Sequence, residues 1–433
     1  IRDSYKMMIK NFNSLANTAV KKKALKILEA GLVAAQPKNF LKTFVDKNYI
    51  LLGKNSIFLS NYRKIFVIAY GKAADSMAEY VSKKIKVSKG IVVIPKYTKS
   101  SIISKKFSVF YSGHPLPDKE SVRAGKTVLE FVNNCSKRDF VLFLVSGGGS
   151  SLLALPDKIT LTEKKHTTKL LLQCGATIDE FNSVRKHLSM IKGGKLVQNM
   201  NCDGCALVMS DVVSNDLSVI SSGCTYNDNT TFSDAVNVIR KYSLEKKLPK
   251  KVITHLKHGL ITKTVRPNRP KIKNKIIATN QDCINAMVLR AKSLGFTTKV
   301  YSPIKQDVGI SAKKIVQMIP RNKKSCLIFG GEPTVQVKGK GKGGRNQELV
   351  LQILKLIHNS NHHMLVSSTS TDGVDGNTTC SGAFIESNSS SLQEISSYLV
   401  NNDSHSFFKK YRGLIKTGPT KTNLMDIGLI IKY

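Results

Sequence analysis

Three glycine-rich segments carry cations or hydroxyls where a chain would close on an anion. In Gly339-Lys-Gly-Lys-Gly-Gly-Arg345-Asn346 the glycines precede a helical pattern running from Gln347 to Ile357. Arg345 therefore stands at a helix N-terminus, where the macrodipole disfavours a cation. A bound anion is the expected reason for it, with Gly344 and Asn346 offering backbone to phosphate oxygens. Lys72 repeats the arrangement in Gly71-Lys72-Ala73-Ala74, directly after the apolar run 65–69. Ser146-Gly147-Gly148-Gly149-Ser150-Ser151 ends another apolar run, 140–145, and its amides are expected to wrap an anion. It is neither a Walker A loop nor a nucleophile elbow, because the required Lys and final Gly are missing.

Carboxylates fall at the ends of further strand-like runs: Asp211 and Asp216 after 206–210, Glu332 after 326–329, Asp372 and Asp375 after 364–369. Such positions suit a proton acceptor or a divalent cation beside phosphates, and Asp216 and Asp375 are the expected metal ligands. For any one of them helix capping or turn formation is the competing explanation. His114 lies in the loop Gly113-His-Pro-Leu-Pro-Asp118. Cys202-Asp-Gly-Cys205 has no second ligand pair at zinc spacing and reads as turn residues.

These loops need a scaffold of alternating strands and helices. Short β-branched runs at 65–69, 90–94, 108–111, 140–145, 206–210, 276–278, 298–301, 326–329, 334–337, 364–369 and 428–431 alternate with helical patterns such as 17–35, 121–134, 164–174 and 180–192. The fold class is α/β with two domains, residues 1–247 and 248–433, joined by the Lys/Pro-rich stretch 248–275. The last residues are expected to pack back on the first domain.

The formal charge is +39, from 68 basic and 29 acidic residues, with no Trp. Lysines are scattered in pairs and no nucleic-acid signature appears, so a field gathering anionic substrates is favoured over a specific nucleic-acid partner. No apolar run approaches membrane-span length, and a cytoplasmic protein is expected.

Several motifs then occur in one order: Gly71-Lys72-Ala73-Ala74, Gly113-His-Pro-Leu-Pro-Asp118, Ser146-Gly-Gly-Gly-Ser150, Asn182-Ser-Val-Arg185-Lys-His187-Leu-Ser, Lys192-Gly-Gly-Lys195, Ser210-Asp211-Val-Val213, Gly330-Gly331-Glu332, Gly341-Lys-Gly-Gly-Arg345-Asn-Gln-Glu348 and Thr371-Asp372-Gly373. Over nearly its whole length the chain resembles the class II glycerate kinases (glycerate 2-kinases), whose C-terminal part is the MOFRL domain. The resemblance implies a first domain that is a Rossmann-like α/β/α sandwich, a second with a mixed sheet, and an active site in the interdomain cleft. It implies ATP- and Mg²⁺-dependent phosphorylation of D-glycerate to 2-phosphoglycerate, with a homodimer as the expected assembly. Lys72, Asp211 and Arg345 match the family's catalytic positions. Ser146 to Ser150, Lys192, Gly344 and Asn346 are expected to bind phosphate, and His114, Arg185, Glu332 and Asp372 to touch substrate or brace residues that do. The chain departs from the family pattern at Tyr70, Asn215, Leu217, Cys224 and Lys421. The rival readings are an NAD(P)-dependent reductase of the hydroxypyruvate type, suggested by the literal G-x-G-x-x-G, and a non-catalytic protein binding phosphate or nucleic acid.

Overall fold

The computed structural model describes residues 7–262, 272–387 and 389–433. The chain divides into two compact units, each assembled from separated stretches. Phe40–Ser210 and Ser214–Ile277 form one; the stretch ending at Asn39, Asp211–Val213 and Ala278–Tyr433 form the other. The expected seam at 248–275 is not where they part. Lys250–Ile261 is a helix and Ile272–Ala278 a strand of the first sheet, while residues 263–271, including Pro267 and Pro270, lie outside the described residues.

The first unit is built on six strands: β1 (Lys64–Tyr70), β2 (Lys89–Pro95), β3 (Phe107–Ser112), β4 (Asp139–Val145), β5 (Asp203–Met209) and β6 (Ile272–Ala278), in the order β3-β2-β1-β4-β5-β6. Neighbouring strands from β3 through β5 run parallel. Every residue of β4 is buried, and β1, β2 and β5 are buried after their first residue. That explains their unbroken apolar character, since a parallel strand is covered on both faces. Helix α1 (Ala74–Lys84) follows β1. Helices α2 (Leu161–Gln173) and α3 (Ile178–His187) start at Thr160 and Thr177, each paired with a Glu three residues on in a capping box. The expected helix 180–192 ends early, at His187, ahead of a turn in which Gly193 and Gly194 take positive φ.

The second unit carries a mixed sheet of β7 (Thr297–Ile304), β8 (Ser325–Gly331), β9 (Met364–Ser370), β10 (Gly382–Glu386), β11 (Leu414–Ile415) and β12 (Asp426–Lys432), in the order β11-β10-β9-β12-β8-β7. Only β7 and β8 pair in parallel; β12 runs antiparallel to both β8 and β9. Strand β12 fills the centre of this sheet and is buried throughout, and the last residues pack on the N-terminal stretch, with Ile427 against Gly31 and Thr422 Oγ1 donating to Ala35 O. Helix α4 (Asn280–Ser293) packs on the N-terminal helix Ala19–Ala34, where Gly31 lies against Met287. Helix α5 (Arg345–Ile357) contributes Leu349, Val350, Ile353 and Leu354 to a core shared with Leu327, Phe329 and Val366 of the sheet. Residues 334–337 form no strand; Thr334 makes one isolated bridge to Asp307. Among the described residues no helix is long and apolar enough to cross a membrane.

Candidate active site

In the first sheet, chain connections leave in opposite directions from β1 and β4. Such a switch point opens a crevice beyond the strands' carboxyl ends. Tyr70 is in register with Val145, so the turn after β1 and the triglycine loop after β4 emerge side by side. They are tied together: Lys72 N donates to Gly147 O (2.8 Å) and Ala73 N to Ser146 Oγ (2.9 Å). Gly71 has φ +123°, and a Cβ there would lie 2.2 Å from Ser146 Oγ, so only glycine allows this approach. Gly148 has φ +84°, and its missing Cβ would sit 3.1 Å from the His114 ring and 3.3 Å from Lys72 Cγ. The structure thus brings Lys72, His114 and Gly148 together.

The back of the loop is held just as firmly. Ser221 and Ser222 both take positive φ (50° and 60°), a strained conformation for serine. Ser221 Oγ donates to Ser146 O (2.7 Å), and the Ser150 and Ser222 hydroxyls share a hydrogen bond of 2.7 Å. Lys192, 2% exposed, donates Nζ to Gly149 O (3.1 Å) and Ser221 O (3.2 Å). Lys192 and Ser146, expected to bind phosphate, instead fix the loop's shape from within. The amides of Gly147, Gly148, Gly149 and Ser150 donate to no protein acceptor among the described residues. Here the expected anion cradle has its donors open. Two departures from the family pattern meet behind it: Tyr70, fully buried, packs its ring under Gly149, and burial followed by the Cys224 thiol holds its phenol well above the usual range.

In the second unit the anion inferred at Arg345 is found, and the protein supplies it. Arg345 Nε and Nη2 donate to the two oxygens of Asp426 (2.6 and 3.1 Å), and Nη1 donates to Glu332 Oε1 (2.6 Å). Burial alone would lower the guanidinium's pKa, but Asp426 and then Glu332 hold it well above its usual value. The N-terminus of α5 is likewise occupied. Asp375 Oδ1 accepts from Asn346 N (3.0 Å) and Nδ2 (3.2 Å), and Oδ2 from Gln347 N (3.0 Å) and Nε2 (2.8 Å). Asn346 Oδ1 accepts from Ser368 Oγ, and a Cβ on Gly344 would meet Asp375 Cγ at 2.3 Å. Against the expected phosphate and metal roles, Gly344 and Asn346 are closed on Asp375, and Asp375 caps the helix with both of its oxygens.

The G-x-G-x-x-G match also fails structurally. Gly339 and Gly341 pack against the Asn401–Asp403 backbone, and Gly339 N donates to Asn402 Oδ1, so this loop does not follow a Rossmann first strand. Asp372 Oδ1 accepts from Ser370 Oγ (2.7 Å) and Val374 N (3.0 Å), a local turn. Asp216 Oδ1 accepts from Ser218 N (2.8 Å), also a turn. Asp216 and Asp375 belong to different units, and no group of three His, Cys, Asp or Glu side chains suited to a metal occurs among the described residues. Asp211 is counted with the second unit, where it accepts from Asn423 Nδ2 (3.2 Å). Asn423 and Asp426 escaped the sequence reading. A signal was available for Asp426, a lone acid opening the apolar run 427–431.

Comparison with known proteins agrees with this architecture. Residues 23–257 match the family model described as a domain of unknown function (DUF4147), and residues 325–426 match the MOFRL family. The chain is 36% identical to the glycerate 2-kinase of Pyrococcus horikoshii, covering 94% of this chain and 96% of that protein. It is 34% identical to the D-glycerate 2-kinase of Thermotoga maritima, covering 95% and 99%. The crystal structure of the T. maritima glycerate kinase superposes with a TM-score of 0.80 at 32% identity, over 96% of this chain and all of that one. A two-unit α/β chain with this switch-point loop, matched from end to end, belongs to the glycerate 2-kinase family with a C-terminal MOFRL domain.

Proposed function

We propose that this protein phosphorylates D-glycerate on its 2-hydroxyl with ATP as donor, releasing 2-phosphoglycerate and ADP. The observation that carries the reading is the set of open amides at Gly147–Ser150 beside Lys72, at the switch point of the first sheet. Oriented N–H groups and a cation are what phosphoryl transfer asks of a protein, since its task is positioning and charge neutralisation. The 2-hydroxyl oxygen forms a bond to the γ-phosphorus as the bond from that phosphorus to the bridging oxygen breaks. The hydroxyl proton passes to the carboxylate of Asp211, and the electron pair of the broken bond leaves on ADP. Lys72 offsets phosphate charge. Arg345, anchored on Asp426 and Glu332, holds its guanidinium plane fixed to meet the glycerate carboxylate.

A divalent cation, when bound, would supply positive charge against the phosphates. The residues expected to hold it do not fit: both oxygens of Asp375 are committed to α5 and Asp216 closes its own turn. No protein ligand is assigned to it.

The test is ADP release coupled to a reporter, with D-glycerate as acceptor and the product identified by phosphorus NMR. Glycerate-dependent ADP with phosphate on the 2-position is expected. Absence of ADP together with hydroxypyruvate-dependent NADH oxidation would overturn the assignment.

A further inference from the structure

Behind the triglycine loop the first unit buries a group of cations with few counter-charges. Lys164, Lys186 and Lys192 are 6%, 4% and 2% exposed. Lys164 Nζ donates to Leu188 O (3.3 Å), and Lys195 Nζ donates to Lys186 O (3.1 Å) and Ser189 O (2.8 Å). These lysines close the C-terminal carbonyls of α3, the negative end of its dipole. Lys192 holds Gly149 O and Ser221 O, and Lys186 pairs with Asp228 (3.1 Å). Each ammonium therefore has a protein partner.

Arg185, in the last turn of α3, does not. Its guanidinium stacks over the Phe181 ring at 4.7 Å, its Nε is buried without an acceptor, and no carboxylate among the described residues pairs with it. A buried guanidinium donor without an acceptor is expensive, and such a group is normally paired. Burial lowers its pKa only to about 10, so it stays charged at neutral pH. Burial first, then the fields of Lys192, Arg185 and Lys195, hold Lys164 well below its usual pKa, which places these groups in one electrostatic neighbourhood. Within it, Asp157 and then Asp228 act on Lys195. A monocarboxylate would leave most of this charge unanswered, whereas the oxygens of a polyphosphate would meet it. Lys192, seated on Gly149 O, links the group to the open amides of the loop.

We infer that Arg185 is a phosphate-binding residue that grips the polyphosphate of the nucleotide donor at the triglycine loop, with Lys164 and Lys192 supplying the field and not direct contacts. This rests on the kinase reading, and the experiment separates the two. Arg185→Gln and Arg185→Lys are compared with the wild type in KM for ATP, KM for D-glycerate, and calorimetric binding of inorganic triphosphate. Loss of a charge-assisted contact predicts KM for ATP rising about 10- to 100-fold in Arg185→Gln, with parallel weakening of triphosphate and KM for glycerate unchanged. Arg185→Lys keeps bulk and charge, guarding against a folding defect; it recovers only part, because an ammonium cannot make a two-pronged contact. A rise in KM for glycerate alone would assign the guanidinium to the carboxylate and overturn the inference. So would a folded Arg185→Gln that binds triphosphate like the wild type. A wild type that binds triphosphate through Arg185 but releases no glycerate-dependent ADP would sustain the anion site and overturn the kinase reading.

Discussion

Arg345 shows how a residue can be correctly singled out for an incomplete reason. Its position at a helix start called for a negative partner, and Asp426 and Glu332 provide two. Asp426 is 3% exposed, so removing the arginine strands a buried carboxylate. Arg345→Ala is therefore expected to destabilise the protein by about 3 kcal/mol as well as to abolish turnover. The double variant Arg345→Ala with Asp426→Asn should regain much of the lost stability in denaturant titrations and none of the activity. Recovery of turnover in the double variant would reduce Arg345 to a structural cation. Lys421 offers a simpler test. It stands at a position where the backbone takes φ +56°, a conformation that costs a non-glycine residue about 1 kcal/mol. Lys421→Gly should raise the melting temperature by a few degrees; a lower one would show that the lysine's own contacts outweigh the backbone cost. Asn215 also departs from the pattern at positive φ (53°), but asparagine tolerates that region, so the change preserves its turn.

At the scale of elements, the N-terminus of α5 stores an unusual amount of buried acid. Burial raises Asp375 to about 6, against the bonds from Asn346 and Gln347, and raises Glu348 to about 7, against the bond from Asn402. Both folded values lie above the ordinary carboxylate range, so the folded state binds more protons than the unfolded chain between the two values. The stability contributed by the protonated forms is complete below the unfolded pKa and is lost as pH rises through about 6 and then 7. Glu348→Gln should flatten the fall in unfolding free energy between pH 5 and pH 7, by on the order of 2 kcal/mol, in urea titrations. A variant as pH-dependent as the wild type would clear Glu348 of the effect. This helix also marks the limit of what the sequence could tell. Its 3.6-residue apolar period and the β-branched runs of β1, β4 and β8 are local signals, and they located the elements within a few residues. Asp375 is a different matter, since its partners are Asn346 and Gln347, about thirty residues away, and only the fold reveals the encounter. The same holds for Lys192, whose glycine-flanked lysine looked like a phosphate ligand until Gly149 O and Ser221 O came within reach. Strand 334–337 failed because no neighbour is present to complete a ladder there beyond one bridge to Asp307.

For the whole molecule the formal charge of +39 remains the quantity with the longest reach. Exposed ion pairs such as Lys83–Glu79 and Arg123–Glu120 neutralise little of it, because basic residues outnumber acidic ones 68 to 29. Paired surface charges of this kind also add little stability. A field of that sign draws in anions, and both proposed substrates are anionic, so the charge should act on encounter more than on chemistry. Raising ionic strength from about 0.01 M to about 0.5 M shortens the Debye length several-fold and should reduce kcat/KM for ATP by roughly tenfold. The value of kcat should hold, because bound substrate lies within contacts too short to be screened. The same field predicts weak binding to any DNA at low salt that vanishes near physiological ionic strength, without preference for sequence. Salt-independent kcat/KM would show that the surplus charge does not serve substrate capture. DNA binding that survives about 0.15 M salt and discriminates between sequences would assign it a partner of its own.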